Sequence, residues 1–146
     1  MNKKGYHSAA GDGGAIPKSS DGHYSIALIA HDGKKLDMAS FIFRHHNMLK
    51  NMILYATHTT GTYIEKEGIP VIKLLSGPRG GDAQIAAMAA EGKLHAVIFF
   101  RDPLDAHPHE PDVQMLMRVC DVHNIPLATN PATATMIIDT LAVNQP

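Results

Sequence analysis

The chain has 146 residues, 45% of them hydrophobic, and a formal net charge of −1, enough for one domain with a real core and without the electrostatic footprint of a nucleic-acid or anionic-lipid partner. A single cysteine excludes an internal disulfide framework and suits a reducing cytoplasm. No apolar run approaches the roughly 20 residues of a membrane span, and the lysine-bearing N-terminus has no apolar core of a secretory signal.

In chain order, residues 1–23 are rich in Gly, Ser, Asp and Ala and read as a flexible leader without chemistry of its own; residues 24–146 read as one domain. Residues 24–30 (YSIALIA) predict a first strand, followed by a helix over 35–49. A second strand is expected at 52–56 (MILYA) and a helix at 60–67; a third strand at 70–75 (PVIKLL) and a helix at 82–91; a fourth strand at 95–100 (HAVIFF) and a helix at 111–123; a fifth strand at 125–128 and a helix at 132–140. The strands are short, β-branched or aromatic, and apolar on both sides, as in a covered parallel sheet. Gly68 and Gly92 mark helix ends, Pro111 a first turn, and Asn124 before Pro126 a stop. Five such repeats imply an α/β fold, a Rossmann-like three-layer sandwich around a mainly parallel five-stranded sheet.

Polar residues fall unevenly on this frame. The segments that follow the strands read HDGKK (31–35), THTTG (57–61), SGPRGGD (76–82), RDPLDAHPHEPD (101–112) and TNPAT (129–133), whereas the segments before the strands are plain. The carboxyl edge of an open α/β sheet is its ligand crevice, so a binding site is expected there. Thr57, Thr59, Thr60 and Gly61, then Ser76 and Gly77, offer hydroxyls and free amides at helix starts, and Lys34 or Lys35 adds a full charge. Together they suit a phosphate monoester. Neither GxGxxG nor a GKS/GKT loop occurs, which argues against a dinucleotide or a nucleoside triphosphate. Beside this cradle the same edge carries Asp82, Asp102, Asp112, His31 and His109. A carboxylate that takes a carbon-bound proton and an imidazole that hydrogen-bonds the oxygen where enediolate charge develops would serve proton abstraction next to a carbonyl. His107 and His109 with Asp102, Asp105 and Asp112 form no tetrahedral ligand set at a familiar spacing, so no metal is expected. Cys120, among Met115, Leu116 and Val119, reads as core, and His45, His46, His95 and His123 as surface or structural.

The words IALIAHDGKK, LYATHTTG, SGPRGGDAQIAA, VIFFRDPLDAHPHEPD and IPLATNPATA, in this order and spacing, resemble the methylglyoxal synthase family over about residues 25–138. The resemblance implies a lyase that converts dihydroxyacetone phosphate to methylglyoxal and inorganic phosphate, cytoplasmic, homohexameric and without metal or cofactor, with phosphate as product and inhibitor. It implies Asp82 as the base that removes the C3 proton, His109 and Asp112 as the pair handling the enediolate oxygens, and His31 and Asp102 as residues shaping the site. Lys35, Thr57, Thr59, Thr60, Ser76 and Gly77 would form the phosphate cradle, with His31 and His109 close to the substrate. Gly80 and Gly81 would let the chain turn tightly to deliver Asp82. Two features depart from the family pattern: His58 stands where Gly is usual, and the last Arg is Arg118, short of an Arg with which relatives often reach a phosphate site. The latter implies weaker phosphate binding or altered subunit coupling. A non-catalytic domain of the same fold that senses a phosphorylated metabolite is the alternative, and a metal-dependent aldolase-like enzyme a third reading.

Overall fold

Successive side chains of a strand point to opposite faces, and the two central strands are apolar on both. A computed structural model describes residues 22–105 and 110–145; the expected leader lies almost wholly outside these residues, as does His109. All six residues of β1 (Ser25–Ala30) and all five of β4 (Ala96–Phe100) are buried. Ile26, Leu28, Ala96, Ile98 and Phe100 pack into one core layer, and Ala27, Ile29, Val97 and Phe99 into the other. Helices cover both layers, giving the expected three-layer sandwich.

The first layer is closed by α1 (Lys35–Arg44), the single turn α2 (His46–Leu49), α3 (His58–Lys66) and α6 (Pro131–Val143). The second is closed by α4 (Gly81–Ala90) and α5 (Glu110–Val122). The buried residues recur at helical spacing: Met38, Phe41 and Ile42 on α1, Ile85, Ala86 and Ala89 on α4, Val113, Leu116 and Cys120 on α5. With β2 (Ile53–Ala56), β3 (Ile72–Lys73) and β5 (Leu127–Ala128), the described strands form one parallel sheet in the order β3-β2-β1-β4-β5. The chain winds outward from β1 to β3, then returns to the other side of β1 through α4. The strand order therefore reverses between β1 and β4, and a crevice opens where the loops leave these two strands in opposite directions.

Three local departures have physical causes. The strand expected over residues 70–75 shrinks to Ile72–Lys73, both exposed at the sheet edge; Pro70 has no N–H to donate, and the Leu75 N–H turns away to the Gln84 side chain. The helix expected over 35–49 breaks at His45, whose backbone N–H and ring Nδ1–H both donate to the Phe41 carbonyl (3.0 and 2.9 Å) while the two rings pack 4.4 Å apart. His58 opens α3 without strain: Asn124 is the one non-glycine residue at positive φ among those described, and the extended Thr57 makes the entry turn instead. His45 and His46 prove structural, the latter donating to the Glu67 carbonyl (2.8 Å). His95 accepts the Ser25 N–H at Nδ1 (3.0 Å).

Asn124 sits at φ 55° just past α5, where Ile125 N–H closes back on the Cys120 carbonyl. A left-handed residue tolerates Asn or Gly and penalises other side chains. Asn124→Ala is expected to lower the unfolding free energy by about 1 kcal/mol, and Asn124→Gly to stay within a few tenths of wild type, measured by urea denaturation.

Candidate active site

The loops at the carboxyl edge enclose a cavity of about 280 Å³ lined by Ile29, Ala30, His31, Asp32, Lys35, Thr57, Thr59, Ser76, Gly77, Pro78 and Asp82. Its size suits a small metabolite, at the lower end of ordinary ligand pockets. Each wall follows from a short piece of sequence.

The first wall is the exit of β1. His31 N–H donates to the Phe100 carbonyl (3.1 Å), and His31 Nδ1 accepts the Asp102 N–H (3.0 Å). The residue after β1 is thereby stitched to the exit of β4 by main chain and side chain together. An Nδ1 that accepts leaves the neutral ring with its proton on Nε2. The ring, 6% exposed, stands edge-on to Phe99 at 5.0 Å. Asp102 completes the corner: its Oδ1 accepts the Leu104 N–H (3.1 Å), and its carboxylate lies so close to Gly33 that a Cβ there would strike it.

Lys35 follows one turn later, at the start of α1. Its Nζ donates to the Ala30 carbonyl (2.5 Å) and to Thr60 Oγ1 (3.4 Å), so the charge is held across the ends of β1 and α3. Burial lowers its pKa, while the carboxylates of Asp32 and Asp82 act in the opposite direction and favour the ammonium. The second wall is the start of α3. Thr57 is the extended residue before the helix and uses no side-chain oxygen to cap it. The first-turn amides have no partner within the helix, by the geometry of any α-helix. These hydroxyls, amides and the ammonium form a ready anion cradle.

The third wall is SGPRGGDAQ. Ser76 precedes a single 3-10 turn, Gly77–Arg79, and its carbonyl accepts from Arg79 N (3.0 Å) and Gly81 N (2.9 Å). Gly80 then takes φ 114°, a left-handed conformation that ordinary side chains avoid. Gly81 has no room for a side chain: a Cβ would collide with the Leu75 carbonyl and come within 3.0 Å of the Ser76 carbonyl and 2.8 Å of the Thr57 methyl. This close approach carries Asp82 into the first turn of α4 with 0% exposure, at the positive end of the helix dipole. Gln84 secures the turn from below, Oε1 accepting the Leu75 N–H at 2.9 Å.

Seven of the residues singled out from sequence thus meet in one cavity: His31, Lys35, Thr57, Thr59, Ser76, Gly77 and Asp82. Thr60 lies fully buried behind the lining, in contact with Lys35. Asp102 and Asp112 stand outside the lining; the first touches the site through His31, and the second is half-buried in the first turn of α5. Arg79 is exposed on the outer side of its turn. Sequence reasoning missed Asp32, which lines the cavity beside Lys35, and the supports Gly33 and Gln84. Gln84 ends the SGPRGGDAQ word and could have been suspected there, whereas Gly33 shows its purpose only against the Asp102 carboxylate. Cys120 is core as expected, its thiol pushed up to about 11 by burial. Among the described residues no group of three or more His, Cys, Asp or Glu is arranged to hold a metal ion.

Residues 37–129 match the family described as the MGS-like domain. A methylglyoxal synthase of Thermus thermophilus is 56% identical over 115 residues, 78% of this chain and 91% of that one. That of Cupriavidus metallidurans is 55% identical over 118 residues, 80% and 84% of the respective chains. The crystal structure of methylglyoxal synthase from Elizabethkingia anophelis NUHP1 superposes with a TM-score of 0.75 at 43% identity, covering 80% of this chain and 78% of that one.

Gly81→Ala is expected to lower stability by about 1–3 kcal/mol, because backbone carbonyls rather than flexible side-chain ends block the added carbon; thermal denaturation reads it. Since the Lys35 pKa is lowered, affinity for inorganic phosphate above pH 8, where phosphate is already a dianion, should fall at a lower pH than an ordinary lysine would allow. Lys35→Arg should keep its binding to higher pH in the same calorimetric titration.

Proposed function

The chain belongs to the methylglyoxal synthase family, and from that membership we propose that it converts dihydroxyacetone phosphate to methylglyoxal and inorganic phosphate. The observation that carries this reading is a carboxylate, Asp82, fully buried in the same small cavity as a cradle for a phosphate. Lys35, Thr57, Thr59, Ser76 and Gly77 hold the phosphoryl group, with Thr60 setting Lys35. Asp82 takes the proton from C3 and leaves an enediolate across C2 and C3. His31, which lines the cavity, shapes the site beside the substrate. His109 and Asp112, assigned from the PHEPD word, handle the enediolate oxygens and the later proton transfers, and Asp102 acts through His31.

Elimination then depends on orientation. When the C1–O bond of the enediolate stands perpendicular to its plane, the π electrons flow into the C1–O antibonding orbital. Phosphate departs with the bonding pair and takes up the C3 hydroxyl proton, leaving the enolate of methylglyoxal, and a proton returned to C1 gives the methyl ketone. No water or redox partner enters the balance. A cradle that holds the phosphate out of plane therefore favours elimination over reprotonation. The product, inorganic phosphate, competes for the same cradle. Exposed Leu36 and Phe43 on α1 and Met136 and Val143 on the adjacent α6 support assembly with copies of the chain, a homohexamer by resemblance, in the cytoplasm.

Incubation with dihydroxyacetone phosphate should yield a trappable dicarbonyl, and EDTA should leave the yield unchanged. Binding of a phosphorylated analogue without product would instead favour a sensor. Asp82→Asn is expected to reduce kcat by about 10²- to 10⁴-fold while the affinity of that analogue, measured by calorimetry, changes only a few-fold; near-normal turnover in this variant would remove Asp82 as the base.

A further inference from the structure

Resting on the proposed reaction, we infer that an ion pair outside the cavity, Arg101 with Glu110, is a clasp that holds the exit of β4 to the first turn of α5 and so positions Asp102 and Asp112 for turnover. Arg101 is the first residue after β4, and Glu110 is the first residue of α5. Arg101 Nη2 donates to Glu110 Oε2 at 3.3 Å, and Gln114 Nε2, one helical turn on, donates to the same oxygen at 3.1 Å. Glu110 is thus held from two sides. Arg101 Nε is buried, without a hydrogen-bond partner among the described residues.

What the clasp joins is the reason to assign it a role. Its two members stand at the exit of β4 and in the first turn of α5, each close to a carboxylate of the proposed machinery. Asp102 is the peptide neighbour of Arg101 and gives its N–H to His31 Nδ1. Asp112 follows Glu110 in the same first turn. The phosphate cradle belongs to other loops, those after β1, β2 and β3. Loosening the clasp should therefore disturb the groups that serve the reacting carbons and oxygens and leave the grip on phosphate in place. Stability gives a weaker motive for the pair: its side chains remain 29% and 39% exposed, and ion pairs so exposed contribute little to folding. Arg101 and Glu110 are positioning residues, since neither lines the cavity.

The test is a cycle of Arg101→Met, Glu110→Gln, the double variant and the reversed pair Arg101→Glu/Glu110→Arg, assayed with dihydroxyacetone phosphate. Each single change is expected to lower kcat on the order of tenfold with KM changed less than twofold, the double to lose no more than either single, and the reversed pair to recover part of the loss. Amide hydrogen exchange over residues 102–105 and the first turn of α5 should accelerate in both singles. Unchanged kcat, losses that multiply in the double, KM rising in step with the fall in kcat, or unchanged exchange would each overturn the clasp. Glu110→Gln keeps the side-chain shape, so it carries the test should Arg101→Met fail to fold. An inert wild type would sink the proposed reaction instead, and the exchange measurement would still decide whether the pair orders the exit of β4 and the first turn of α5.

Discussion

A carboxylate taken wholly out of water costs on the order of several kcal/mol unless opposite charge or hydrogen-bond donors come with it. Asp82 is in that position, with 0% exposure, and much of the site can be understood as what surrounds it. The first turn of α4 presents the positive end of a helix dipole, and the Lys35 ammonium, itself partly desolvated, is favoured by the Asp82 charge. Each of the two buried charges makes the other tolerable. The same arrangement places the proposed base and the proposed phosphate-binding cation in one small space.

Delivery of that carboxylate depends on backbone contact. Gly81 lies against the carbonyls of Leu75 and Ser76 and the methyl of Thr57, so the loop after β3 is keyed to the loop after β2. The stitch between His31 and the exit of β4 keys the loop after β1 to the fourth. Neighbouring strands of one parallel sheet thus fix not only the loops but their mutual register. Because the strand order reverses between β1 and β4, the sheet leaves a crevice there without needing any lid or second domain.

The layout was largely readable in the amino-acid pattern. Runs apolar on both sides, YSIALIA and HAVIFF, marked the central strands, and the core reading of Cys120 beside Leu116 holds. Seven of the proposed site residues could be named because polar groups after strands share one edge. Where the pattern misled, a single side chain or terminus prevailed over local tendency. PVIKLL looks like a full strand, yet its position at the sheet edge and the pull of Gln84 on Leu75 leave only two residues paired. The stretch 35–49 looks like one helix, yet His45 takes the Phe41 carbonyl twice over and the axis breaks.

Local pattern and composition were enough to establish element type, layer and edge, because these depend on periodicities along the chain, and the motif words were enough to suggest the family. Which polar residues share a cavity was decided by packing. Asp32 joined the lining, Asp102 withdrew to serve His31, and Asp112 stayed outside, since the distances among side chains on five separate loops depend on strand order and register. The tautomer of His31, the lowered pKa of Lys35 and the pairing of Arg101 with Glu110 belong to the tertiary structure for the same reason. The first and last arise from partners distant in sequence or across a loop and the second from burial, all in place only when the sheet has formed.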